Sequence, residues 1–204
     1  MEFIIIDLEF NQPVKQLRFY YQEIIEIGAV KLNENLEIID SFQSYVKPKY
    51  LKTLHWKVKK ITGINNEQLD NTEPLEVILF SFLNWCGTNF NICSFGIDDL
   101  FWFLDNCKRQ GLPVNWLRKF VNIQTEIMRI FDLEKQPSLT NSLKLFELEF
   151  LGEKHQALAD ALNTVDLFFN IYNEIDFDNL QHLNYIEPIF EYSYSNSGFR
   201  SSNS

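Results

Sequence analysis

At 204 residues and 46% hydrophobic, the chain has enough apolar material for one well-buried domain, and two full domains are not expected. Its formal net charge of −10 argues against broad, unaided binding to a polyphosphate duplex, since non-specific affinity comes largely from Lys and Arg. No apolar run approaches the roughly 18 residues of a membrane span, and Met1-Glu2-Phe3-Ile4-Ile5-Ile6-Asp7 carries acids too early for a signal peptide. In chain order, residues 2–10 read as a buried strand, an apolar run bounded by acids. Residues 23–32 and 36–47 read as two more strands, with Asn33-Glu34-Asn35 as a hairpin turn. Pro74 opens a helix running to about Cys86, with Gly87 as its stop. Phe90 to Ser94 is a short strand, and a helix from Asp99 to Gln110 follows, ended by Gly111 and Pro113. Phe120 to Ile123 forms a fifth strand and residues 124–132 a helix. Pro137-Ser138-Leu139 starts another helix with Ser138 as N-cap, and the last long helix covers about 157–174. After Asn179 the signal weakens, and Tyr192 to Ser204 is Ser/Asn-rich, as expected of a mobile tail. The expected organisation is a domain over residues 1–178 with a C-terminal extension over 179–204. Its class is α/β, a five-stranded mixed sheet flanked by helices.

Cys86, Cys93 and Cys107 are odd in number and lack a CxxC pairing. They are expected to be reduced core thiols of a cytoplasmic protein rather than a zinc site. Chemistry concentrates in three other short segments: Asp7-Leu8-Glu9, Asp98-Asp99, and His155 to Asp160. Together they offer oxygen ligands for divalent ions and one titratable group, the set that two-metal phosphodiester hydrolysis needs. Asp7 and Glu9 are two apart on a strand, so they share a face, where they repel unless a cation lies between them. Asp98 and Asp99 follow a strand end, the usual ligand position in an open α/β sheet. One of them is expected to act as an N-cap, and the preferred assignment is that Asp98 caps while Asp99 faces the site. His155 and Asp160 would lie ~140° apart on one helix. They converge only if His155 precedes the helix and leans back over its first turn. Asp160 shares a stripe with Thr164, Leu167 and Ile171, opposite a second apolar stripe, so the helix is expected to be buried on both sides. A carboxylate there needs a partner or a metal.

A basic segment, Lys47, Lys49, Lys52, Lys57, Lys59 and Lys60, is interleaved with Tyr50, His55 and Trp56 and holds a third of all Lys and Arg. A solvated surface loop and a strand-binding rim are both open readings. His55 and His182 are read as structural.

The ordered set resembles the DEDDh group of 3′→5′ exonucleases on the ribonuclease H-like fold. Within it, the branch containing the histone-mRNA 3′-end exonuclease and the sporulation-pathway-inhibitor-type exonucleases looks closest. The motifs that carry the resemblance are Asp7-Leu8-Glu9-Phe10, Glu23 to Val30, Ile61-Thr62-Gly63-Ile64, Phe95-Gly96-Ile97-Asp98-Asp99 and His155 to Ala161, with Asn163 in its usual place. They span about residues 1–172. The pattern selects Asp99 over Asp98. Departures are Phe95 where Trp is usual, Ala159 where a second Asp is common, Asn11-Gln12 after the first motif, and a poor fit over Pro48 to Lys60.

The resemblance implies two Mg²⁺ or Mn²⁺ ions, with Asp7, Glu9 and Asp160 holding one and Asp7 and Asp99 the other. It implies His155 as the base that takes a proton from the attacking water, a task suited to an imidazole of ordinary pKa ~6.5. Phe10, Ile61 and Thr62 are implied to contact the terminal nucleotide. The expected substrate is a single-stranded nucleic acid 3′ end, RNA favoured over DNA, with nucleoside 5′-monophosphates as products. A DNA-directed proofreading exonuclease and a non-catalytic nucleic-acid-binding member of the fold are the alternatives. No membrane contact is expected, and protein partners are not specified.

Overall fold

The computed structural model describes residues 1–13, 21–117 and 119–182, the last two by backbone alone. The five expected strands are present: β1 (Glu2–Asn11), β2 (Glu23–Leu32), β3 (Ile38–Tyr45), β4 (Phe90–Ser94) and β5 (Lys119–Asn122). A two-residue strand, β6 (Gln181–His182), extends one edge, so the order is β3-β2-β1-β4-β5-β6. β1 is central, antiparallel to β2 and parallel to β4. That position explains why Phe3, Ile4, Ile5 and Ile6 form an unbroken buried run, for a strand covered on both faces has no polar side to show.

The two faces carry separate cores. Ile4, Ile6 and Leu8 of β1, with Ile27 and Ala29 of β2, pack against α3 (Leu75–Cys86) and α4 (Ile97–Gln110). Phe3 and Ile5, with Val30 and Leu32, pack against α5 (Ile123–Phe131), α6 (Leu139–Leu145) and α7 (Ala157–Ile171). The result is a sheet between two helical layers. α7 is followed by a 3-10 turn at Tyr172–Glu174. Its buried positions include Asp160, Ala161, Thr164, Val165, Leu167, Phe168 and Ile171. Both expected stripes are therefore covered, apart from Leu162 and Phe169 at the outer margin, which are exposed.

Two helices escaped the sequence reading: α1 (Trp56–Thr62) and α2 (Asn66–Asp70). Each buries one apolar residue, Val58 and Leu69, so neither writes an apolar period into the sequence. Their ends are fixed locally instead. His55 Nδ1 accepts the Lys57 N–H at 3.2 Å, and Asn65 with Gln68 forms a reciprocal capping box.

A further correction concerns α4, which begins at Ile97, two residues before its expected start. Its N-cap is Gly96, which has no side chain to offer, so Asp98 is an exposed first-turn residue and not the cap. Both acids gain there from the helix N-terminal dipole. Ser138 does cap α6, accepting the Asn141 N–H at 3.3 Å. Cys86, Cys93 and Cys107 are buried and unbridged, and burial pushes the Cys86 and Cys107 thiols up to about 12, so they remain protonated. Among the described residues no helix is long and apolar enough to cross a membrane. The tail expected from Tyr192 to Ser204 lies outside the described residues.

Candidate active site

Asp7 and Glu9 continue the face of Phe3 and Ile5, so both point toward the α7 layer. Across the antiparallel pair, Gly28 stands opposite Asp7 and Glu26 opposite Glu9. On the other side, the β1–β4 ladder ends at Ile6 and Ser94. Past that end the Leu8 N–H donates to the Asp99 carboxylate. The short Phe95-Gly96 link turns the chain from β4 into α4, which places Asp99 one helical turn in, beside the C-terminal end of β1.

The fourth carboxylate comes from the first turn of α7. His155 precedes the helix with a left-handed backbone, φ 64°, and its N–H donates to Asp160 Oδ2 at 2.7 Å. The Gln156 N–H also bonds Asp160. The loop that carries His155 is closed by Asn163, which accepts the Leu151 N–H and donates to Leu151 O, both at 2.8 Å. One ligand atom each from Glu9, His155 and Asp160 lies within 4.8 Å of the others. His155 therefore sits off the helix and reaches back over it, as the five-residue spacing required.

Glu26 completes the wall. Its Oε1 accepts from Gln43 Nε2 at 2.7 Å, and its Oε2 accepts the Ala157 N–H at 3.4 Å. Gln156, the N-cap of α7, makes no side-chain cap, so a carboxylate from β2 takes one of the helix's orphan N–H groups. Beside it, a Cβ on Gly28 would lie 2.2 Å from the Ala157 carbonyl carbon and the Leu158 nitrogen. Glycine here is what lets α7 lie against the sheet, and with it Asp160 against Glu9.

The electrostatics follow from this crowding. Burial pushes Asp7 well above the ordinary carboxylate range, and the charges of Asp99, Asp160, Glu9 and Glu26 push it further. Glu9 is raised to about 8 by burial, then by Asp160, Glu26 and Asp99. Asp99 is raised to about 8 by burial, then by Asp98 and Asp160, against the opposing Leu8 N–H. Asp160 and Glu26 are raised by burial and partly relieved by their N–H donors. Like charges this close coexist only as partly protonated acids or around cations. An all-oxygen donor set with one imidazole, at strand ends beside a helix N-terminus, suits hard divalent ions such as Mg²⁺ and Mn²⁺.

The structure thus brings Asp7, Glu9, Asp99, His155 and Asp160 together from three segments. Ile61 and Thr62 line a neighbouring cavity of about 330 Å³ with Glu26, Tyr45, Lys60 and Gln156. Phe10 is half-buried and packs with the α3–α4 core. His55 caps α1, as a structural histidine does. The sequence reading passed over Glu26 and Gly28, although both lie in a strand it had marked. The signal was available: an acid within an apolar run, Ile24-Ile25-Glu26-Ile27, is as expensive as Asp160 unless it has a partner.

A family model described as Exonuclease (RNase_T) matches residues 4–168. The chain is 28% identical over 198 residues to "ERI1 exoribonuclease 2" of Homo sapiens, covering 84% of this chain and 28% of the relative. It is 29% identical over 170 residues to "3'-5' exoribonuclease 1" of Rattus norvegicus, covering 78% of this chain and 49% of the relative. The chain thus spans less than half the length of these curated relatives. Among solved structures, the nuclease domain of 3'hExo, described as a DEDDh family member bound to rAMP, superposes with a TM-score of 0.77 at 25% identity, covering 89% of this chain and 95% of that one. The motif resemblance, the fold and the family match agree: the chain belongs to the Exonuclease family.

Proposed function

We propose that the protein is a metal-dependent 3′→5′ exonuclease that releases nucleoside 5′-monophosphates from single-stranded nucleic acid, with RNA favoured over DNA. The observation that carries this reading is the meeting of four mutually repelling carboxylates and one exposed imidazole at the ends of β1, β4 and the start of α7. The choice of RNA is supported by the two curated relatives, both of which are exoribonucleases by name. Unbridged buried thiols support a reducing, cytoplasmic setting.

Asp7, Glu9 and Asp160 would hold one divalent ion, and Asp7 with Asp99 a second. Bound there, the ions would activate the attacking water and neutralise charge on the phosphate and the leaving 3′-oxygen. His155 takes the proton from that water. Its ring is exposed at the end of a loop, so the proton can pass on to solvent. Asn163 and the Asp160 carboxylate fix the backbone of the loop that carries the ring. Ile61 and Thr62 wall a cavity of a size that suits one nucleotide, and with Phe10 they are the candidates for contact with the terminal residue.

The test uses 5′-labelled RNA and DNA 12-mers of matched sequence with Mg²⁺ or Mn²⁺. A ladder shortening by single nucleotides from the 3′ end is expected, with EDTA abolishing it and a 3′-phosphate blocking it. Cleavage of a circular single strand would refute exonuclease action. Competition between the two sugars decides between the RNA-directed and DNA-directed forms, because the 2′-hydroxyl is the available handle.

A further inference from the structure

Apart from Lys60, which borders the cavity, the basic segment lies outside the site described above, yet the structure does not treat it as a passive loop. Asn11, fully buried two residues past Glu9, donates to Leu51 O at 2.8 Å and Thr53 O at 3.1 Å and accepts the His55 N–H at 2.9 Å. Glu23, also buried, accepts the N–H groups of Lys49, Tyr50 and Leu51 at 2.5 to 3.1 Å. Two buried polar side chains thus fasten residues 49–55 to the sheet. Asn11 and the segment Pro48 to Lys60 are two of the places where the chain departs from the family pattern, and they are bonded to each other. A solvated spacer has no need of such anchoring.

The anchored segment presents a particular surface. Trp56 is 62% exposed and Tyr50 48%, unusual for rings of this size. His55 stacks on Trp56, with centroids 5.8 Å apart, and the Lys57 ammonium lies 5.6 Å from the same ring. Lys49 stands 5.5 Å from the Tyr50 ring. On α1, Trp56, Lys57, Lys60 and Ile61 share one outward face by their three- and four-residue spacing, and all four are exposed. Lys60 and Ile61 also line the cavity beside Glu26, so this face runs into the site. No Asp or Glu occurs between Asp40 and Glu67, in a chain with 28 acids. Lys47 is otherwise committed, donating to Asp70 O at 2.7 Å.

We propose that this face is a rim for the single strand on the 5′ side of the residue being removed. Trp56 stacks on a base, and Lys57 beside it meets a phosphate. The proposal rests on the exonuclease reading for its direction, and on charge complementarity and exposed rings for its occupant. Aromatic stacking tolerates any base, and lysines read no sequence, so the rim grips length rather than sequence. It also explains how an acidic protein holds a polyanion: attraction is confined to one acid-free strip leading to the carboxylates.

The test compares wild type with Trp56→Ala and with Lys57→Gln, neither of which touches the carboxylate site. Two readouts are used: anisotropy binding of a labelled single-stranded 12-mer carrying a 3′-phosphate, with Mg²⁺ present, and turnover of a dinucleotide too short to reach the rim. Trp56→Ala should weaken 12-mer binding about 5- to 100-fold, and the lysine variant should flatten the salt dependence by about 0.7 in log–log slope per lost phosphate contact. Dinucleotide turnover should be unchanged. Binding of the 12-mer at wild-type strength by both variants overturns the rim, as does an equal loss on dinucleotide and 12-mer, which would mark a structural role. If wild type binds the 12-mer through Trp56 but cleaves neither the dinucleotide nor a 12-mer with a free 3′-hydroxyl, the exonuclease reading fails and the rim stands.

Discussion

His155 holds a left-handed backbone, strained for a residue with a Cβ, and the strain is offset by its N–H bond to Asp160. The tie to the carboxylate is therefore made by the main chain, while the imidazole is left free for chemistry. It follows that the ring can be removed without disturbing Asp160, provided the substitute tolerates positive φ. His155→Asn meets that condition, since Asn is enriched in this conformation. We expect it to lower kcat by about 10²- to 10⁴-fold with Tm within a degree or two of wild type, as checked by single-turnover cleavage and thermal melts. A variant that cleaves at full rate would remove His155 from the mechanism. Burial supplies the complementary lesson at this scale. Asp160 was legible as functional because it interrupts an apolar helix, and Glu26 carries the same signature in a strand. A strand of ten residues with acids at Glu23 and Glu26 looks like one with exposed edges until its neighbours are known. Both proved buried, each holding backbone N–H groups of a distant segment.

At the scale of elements, the contact between β2 and the start of α7 governs how the site is assembled. Gly28→Ala would set a methyl 2.2 Å from backbone atoms of Ala157 and Leu158, neither of which can rotate away. The first turn of α7 must shift, carrying Asp160 and the His155 loop with it. We expect a loss of about 1–3 kcal/mol in stability from overpacking and a larger proportional loss of kcat, read by denaturant melts and by cleavage of a labelled 12-mer. Wild-type activity in a destabilised variant would show that α7 can move without harm to the site. β2 and β4 were readable to the residue because each is a buried apolar run between polar stops. α1 and α2 were not, because each makes its stability from caps and a single buried side chain, and caps look like ordinary loop residues in a sequence. Asp98 and Asp99 show the same limit in part: the helix starts two residues earlier than expected, so Gly96 and not Asp98 is its N-cap, while Asp99 faces inward as expected.

For the whole molecule, the clustered carboxylates couple stability to both pH and metal. Without metal, Glu9 and Asp99 hold protons up to about pH 8, whereas in the unfolded chain they ionise near pH ~4. The folded state therefore binds more protons than the unfolded state between those limits. Stability is fully present below that window and is lost as pH rises through it. In EDTA, Tm should fall from pH 5 to pH 8. Mn²⁺ or Mg²⁺ must displace those protons, so the metal should raise Tm by more at pH 8 than at pH 6. Calorimetry at the two pH values checks both signs, and a metal-induced rise that is larger at pH 6 would contradict the carboxylate cluster as the binding site.

The place of β1 in the sheet carries a consequence for biosynthesis. This strand is made before its neighbours, yet it lies at the centre, and its parallel partner β4 begins 88 residues after it. Until Phe90 to Ser94 emerges from the ribosome, one edge of Phe3-Ile4-Ile5-Ile6 has no strand to pair with, and the helices that cover its α7 face are later still. At ~5–20 residues per second that interval lasts about 4–18 s. A nascent chain holding its most apolar segment uncovered for so long is a natural client for a chaperone at the tunnel exit. Asp7 and Glu9, the acids that close that segment, stand where gatekeeper charges against self-association stand.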